Sequence, residues 1–279
     1  MIHNPNIKNT MAFALHLSHM VQAKKIFYLG MPNRSDIDSP GAFVGLFNNM
    51  ESNATQSEDF LSFDVSKNLE KSYDFVVADL PLNYKPVRWK NKYRINGEWA
   101  IMLDLLSLLN KNGHGLFWVA PAFWFGLGKR FQEILNENGF HVNAVFNPPE
   151  KILHPYTSLR PNILLLSRKR TDNVFIAELP DASNISKVIN NLFNQIDGGS
   201  LINGSLVPIN DFSGFDKYKF SQEIKKLKIH YKNYDEYILK DIAVEVIAGK
   251  TNQKLSEKDN SIYVPKLGTS PIITDVTRG

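Results

Sequence analysis

The chain is 279 residues long, 43% hydrophobic and 22% charged, with a net charge of +4 and a pI near 9.0. Those figures describe a globular protein able to bury one substantial core and part of a second, and the cationic excess suits a polyanionic partner. The absence of cysteine excludes a disulfide framework and a thiolate metal site, and fits a reducing cytoplasm. No basic segment followed by an apolar run opens the chain, and no window approaches the roughly 20 apolar residues of a membrane span. A soluble, cytoplasmic protein is expected.

Taken in chain order, MAFALHLSHMVQ places Phe13, Leu17, Met20 and Val21 at helical spacing, and KKIFYLG reads as a short buried strand. PGAFVGLFNNM reads as a helix with Pro40 at its start and Phe43, Leu46, Phe47 and Met50 on one face. FLSFDV and YDFVVADL are strand-like, with aromatic and β-branched residues between polar turns. A helix then covers Glu98 to Leu109, with NKNGHG as its glycine stop and LFWVAP as the next buried strand. GKRFQEILNENG is an amphipathic helix closed by Gly139, and GLGKR, which lacks the spacing of a phosphate-binding loop, is its start. HVNAVF, NILLLS and NVFIAE are further strands, followed by a helix that repeats Ile185, Val188, Ile189 and Leu192. DGGSLINGS breaks the chain, and LVPINDFSGFDKYKFSQEIKKLKIHYKNY mixes aromatic and basic residues without one period, which suggests an extended arm. Strands separated by helices predict an α/β fold with a mainly parallel, doubly wound sheet.

The stretch from Tyr73 to Lys169 carries a family resemblance. YDFVVADLPL, the helix after it, LFWVAP, FGLGKRFQEILNENGF, HVNAVFNPPEKIL and HPYTSLRPNILLLSRK follow in that order. This order resembles the N6-adenine DNA methylases that form the modification subunit of type I restriction-modification systems, and the resemblance covers most of residues 11 to 224. From Tyr237, YILKDIAVEVIAGKTNQKL resembles the opening of a target-recognition domain of a specificity subunit. The resemblance implies a Rossmann-like AdoMet-dependent methyltransferase sheet, N-terminally incomplete, then an extended arm and a partial recognition module. The expected boundaries are 1–180, 181–232 and 233–279. The implied cofactor is S-adenosyl-L-methionine, and the implied partners are double-stranded DNA and modification, specificity or restriction subunits.

The resemblance also assigns roles. Asp79, Leu80, Pro81 and Leu82 stand at the catalytic tetrapeptide, whose polar side chain and backbone carbonyl hold the amino group of a flipped adenine. Leu80 and Leu82 depart from the family's proline and aromatic, and Tyr84 and Trp89 are the candidates to replace the stacking ring. The family's glycine turn has no counterpart ahead of the helix at Met11, and that helix corresponds to the one after the turn. KKIFYLG is then the next strand, with Met31 and Pro32 where the ribose acid stands in the family, and Asp36 and Asp38 reading as loop or cap residues. Asp64 and Gly30, each at the end of a predicted strand, are the cofactor-binding candidates. Tyr156, Thr157 and Arg160 in the loop after FNPPEKI, and Lys250 with the lysines around it, are candidates for DNA contact. His16 and His19 lack a third ligand at metal spacing and read as a surface pair.

Three functions follow as expectations. The first is methyl transfer from AdoMet to adenine N6 in DNA. The second is a degenerate or truncated relative that binds DNA or assembles with other subunits without its own AdoMet. The third is another Rossmann-like enzyme acting on a small substrate.

Overall fold

Tyr73–Asp79 is the strand around which the molecule is built. Its residues Phe75, Val76, Val77 and Ala78 are all fully buried, which requires both faces of the sheet to be covered. In a computed structural model of the chain, the described residues are 13–14, 16–29, 53–57, 72–80, 85–150, 158–179, 184–230, 263–266 and 275–278. They fall in two compact units, Met1–Lys225 and Lys226–Gly279.

The first unit holds an eight-stranded sheet formed by β1 (Lys25–Leu29), β2 (Asn53–Ser57), β3 (Tyr73–Asp79), β6 (Leu109–Val119), β7 (His141–Asn147), β8 (Asn162–Ser167), β9 (Asn173–Glu178) and β10 (Ser205–Pro208). The spatial order is β10-β9-β7-β8-β6-β3-β1-β2. The pairs β2–β1, β1–β3, β3–β6 and β7–β9 are parallel, whereas β8 and β10 run antiparallel to their neighbours. The short β4 (Val87–Trp89) and β5 (Tyr93–Ile95) form a separate hairpin. Its turn places Lys90 and Asn91 at φ 48° and 57°, the left-handed pair that a tight hairpin turn needs.

Helices cover both faces. On one side α2 (Gly97–Ser107) and α3 (Leu127–Glu137) pack Trp99, Leu103, Phe131 and Leu135 against Val76, Ala78, Phe117 and Leu164. On the other, the helical residues 13–14 and 16–20 (α1) and α4 (Ile185–Phe193) pack Phe13, Leu17, Val188 and Leu192 against Phe75, Val77, Leu116 and Phe146. Nine of the largest fully buried side chains are phenylalanines, and burying each stabilises the fold by about 1.5–3 kcal/mol. Close packing of so many rings leaves no room for side chains at particular backbone positions. A Cβ at Gly115 would lie 2.4 Å from the Phe117 ring, and one at Gly113 would lie 2.9 Å from the Tyr73 carbonyl.

The predicted α/β, doubly wound sheet is the observed one. Several local expectations change. NKNGHG is not a helix stop but the first half of β6, because Gly113 and Gly115 answer to that crowding within the strand rather than to a turn. Met20 is 49% exposed instead of sharing the buried face of Phe13 and Leu17, since α1 ends there and Gln22 turns the chain with φ 52°. The segment read as an extended arm contains β10, paired with β9, and α5 (Phe215–His230). The polar NATQS forms β2 at the sheet edge. PGAFVGLFNNM and FLSFDV lie outside the described residues. In the second unit, β11 (Tyr263–Lys266) pairs antiparallel with β12 (Asp275–Arg278). Among the described residues, no helix is long and apolar enough to cross a membrane.

One glycine is a direct test of this packing. Gly204 has φ 88°, and a Cβ there would lie 1.9 Å from Phe175 Cζ. Gly204→Ala is expected to destabilise the protein by about 2–4 kcal/mol, seen as a Tm lowered by several degrees. An unchanged Tm would contradict the packing described.

Candidate active site

The chain reverses its direction of travel across the sheet between β1 and β3. From β1 it moves outward to β2, then crosses back to place β3 on β1's other side. Neighbouring loops part at such a reversal and leave a crevice beyond the carboxyl ends of the strands, where open α/β sheets bind ligands. The register fixes what meets there: Ser57 pairs with Leu29, Leu29 with Ala78, and Asp79 with Trp118. Four parallel strands therefore end in one line, each about 4.8 Å from the next.

This pairing supplies a placement that the sequence left open. β1, in KKIFYLG, was read as the strand that follows the family's glycine turn and its helix, without a place beside the strand of Asp79. No strand separates the two: Ile26 to Leu29 are in register with Phe75 to Ala78. The central position beside Asp79 belongs to β1, and Gly30 follows it directly in sequence.

Asp79 is the last residue of β3. The side chain of Leu80 is buried in the core with Trp89, Trp99 and Met102, so the departure from proline at this position serves packing. Trp89 is buried as well. Its indole N–H donates to Asp104 Oδ1 at 2.8 Å, Tyr93 stacks on it at 6.3 Å, and Lys90 Nζ lies 4.3 Å from its ring centroid. With its N–H engaged, Tyr93 stacked on it and Lys90 over its ring, Trp89 is packed into the core beside the hairpin. Arg160 is partly buried and donates from Nε to the carbonyl of Pro148, tying together the two ends of the loop between β7 and β8. His16 and His19 are both exposed. Gly30, Asp64, Pro81, Leu82, Tyr84, Tyr156, Thr157 and Lys250 lie outside the described residues, as do Met31, Pro32, Asp36 and Asp38.

A polar network missing from the sequence reading stands on the same edge. Asn147 ends β7 and Asn162 begins the antiparallel β8, so both reach the carboxyl ends of the parallel strands, and both are buried. Trp124 Nε1 donates to Asn162 Oδ1 at 2.7 Å, and Asn162 Nδ2 donates to Asn147 Oδ1 at 3.4 Å. Trp124 belongs to a single 3-10 turn, Pro121–Trp124, that follows β6. Gly214 permits its close approach, because a Cβ there would lie 2.9 Å from the Trp124 ring. The signal was an asparagine at each end of the FNPP and RPNILLL segments, which became a pair only once β7 and β8 were neighbours. The described histidines with perturbed pKa values sit at the opposite end of the sheet. Burial, then Lys169, lowers that of His114, and burial, then Arg170, lowers that of His141. Neither is placed to serve this edge as an acid or base.

No protein-family model matches the chain, and no curated protein matches it. Solved structures do. The methyltransferase subunit of a type I restriction-modification system from Streptococcus thermophilus superposes with a TM-score of 0.51 at 14% identity, over 71% of this chain and 53% of that one. A modification subunit of a type I restriction enzyme from Vibrio vulnificus gives 0.51 at 12% identity, over 72% and 55%. A class I S-adenosylmethionine-dependent methyltransferase from Listeria monocytogenes gives 0.50 at 15% identity, over 71% and 74%; the last two names are provisional. The fold is that of the class I methyltransferases. This methyltransferase fold spans about half the length of the two restriction-modification subunits. These likenesses do not support the recognition-module opening expected beyond residue 233.

The asparagine network predicts the effect of one substitution. Trp124→Phe keeps an aromatic ring but loses the indole N–H, leaving Asn162 Oδ1 buried without its donor, and is expected to cost about 1–3 kcal/mol. Urea denaturation checks it: a lowered midpoint at unchanged slope is expected, and an unchanged midpoint would show that the bond contributes nothing.

Proposed function

We propose that this chain is a methyltransferase of the restriction-modification type, acting on adenine N6 in DNA with S-adenosylmethionine as donor. The register of β1 on β3 carries the reading. It sets the end of β1, which Gly30 follows in sequence, beside the end of β3 at Asp79, where open α/β sheets bind ligands. Glycine directly after the central strand suits close approach of backbone to a bound cofactor. Asp79 is the acceptor for the adenine amino group, and the Leu80 carbonyl is the second acceptor. Together they direct the nitrogen lone pair toward the donor. When bound, AdoMet supplies the electrophilic methyl group. Asp64 serves the adenine end of the cofactor. The partners are double-stranded DNA and the other subunits of such a system.

Isothermal titration of the purified chain with AdoMet, with S-adenosylhomocysteine as the nonreactive check, tests this reading. Saturable micromolar binding is expected, together with loss of adenine methylation on Asp79→Ala at unchanged cofactor affinity. No binding up to about millimolar AdoMet would overturn the enzyme reading and leave an assembly or DNA-binding component.

A further inference from the structure

The turn after β6 buries two of its three aromatic rings and exposes the third. Phe123 is fully buried, edge-to-face with Trp99 and Phe131 at 6.2 and 5.8 Å, and its carbonyl accepts a bond from Gln132 Nε2 at 3.0 Å. Trp124 is held by Asn162 and by Phe212, 5.0 Å away edge-on. Gly128 completes the anchorage, since a Cβ there would lie 2.2 Å from the Phe123 carbonyl oxygen. Between these fixed points Phe125 is 47% exposed. Gly126, with φ 49°, follows it, and a Cβ built there meets nothing within 4 Å. Lys129 and Arg130, in the first turn of α3, are both exposed, and among the described residues neither has an ion pair with Glu133 or any other acid.

Single exposed apolar side chains are ordinary; position is what separates Phe125 from the rest. β6 is parallel to β3, with Trp118 in register with Asp79, so the chain leaves β6 at the carboxyl edge beside Asp79. α3 starts at that same edge because it returns to the start of β7. An exposed ring on a rigid turn, next to two free cations, is the combination that binds unpaired nucleotides: the ring stacks on a base while the cations follow the backbone.

We infer that Phe125, Lys129 and Arg130 form a nucleic-acid contact surface, with Phe125 stacking on a base that has left its duplex. The inference extends the proposed reaction by naming the ring that Leu82 does not supply, but its test does not depend on turnover. Fluorescence anisotropy would compare a labelled duplex carrying one adenine opposite an abasic site with the fully paired duplex. The wild-type chain is expected to prefer the unpaired adenine about tenfold. Phe125→Ala should abolish that preference, Phe125→Trp should restore it, and Phe220→Ala, an exposed ring on α5, should leave it unchanged. Replacing Lys129 and Arg130 by glutamine should weaken binding to both duplexes and flatten the dependence of affinity on salt. Equal affinity of wild type for the two duplexes, a preference that survives Phe125→Ala, or an unchanged salt slope in the glutamine variant would each overturn the inference. AdoMet titration of the same proteins separates the two proposals. DNA preference without cofactor binding would sink the methyl-transfer reading and leave this surface standing.

Discussion

Direct pairing of β1 with β3 is the constraint on which the site depends. Because Leu29 and Ala78 are in register, the reversal in the chain's direction across the sheet falls between β1 and β3, the place where open α/β sheets bind ligands at their carboxyl edge. Asp79 at the end of β3 and the aromatic turn after β6 lie on that edge, Gly30 follows β1 in sequence, and the buried asparagines of β7 and β8 stand there too. The pairing holds because β3 contributes an unbroken buried run from Phe75 to Ala78, and a strand apolar on both faces is stable only with neighbours on both edges and helices on both faces.

The aromatic core accounts for much of the remaining shape. Phe123, Phe131 and Trp99 lock the turn after β6 against α2 and α3, and glycines stand wherever a ring or a carbonyl comes too close for a side chain. The same packing takes up two of the candidate site residues. Leu80 is a core residue, and Trp89 is held by Asp104, Tyr93 and Lys90. On the same edge, the turn after β6 carries one ring, Phe125, that packing has left outside.

How much could be read from the residues varied with the kind of signal. The buried strands NILLLS and NVFIAE and the helices around Phe131 and Val188 were legible, because continuous apolar runs and 3.6-residue spacing directly reflect burial. The polar β2 was not, since an edge strand needs no apolar pattern. Gly113 and Gly115 were misread as a stop, because a glycine needed for close approach and one needed for a turn look alike in sequence. Asp79 could be placed at the end of its strand from the sequence, whereas the place of β1 beside it could not: sheet order depends on long-range pairing that no local pattern records. The Asn147–Asn162–Trp124 network was hidden for the same reason, as its members are brought together only by the antiparallel return of β8.

The central claim is that the ends of β1 and β3 form one ligand-binding crevice. Hydrogen–deuterium exchange of the chain with and without S-adenosylhomocysteine tests it most directly. Slowed exchange in the peptides that end β1 and β3, around Leu29 and around Ala78 to Leu80, is the result this account predicts. Protection confined to other parts of the chain, with the ends of β1 and β3 exchanging as in the free protein, would contradict it.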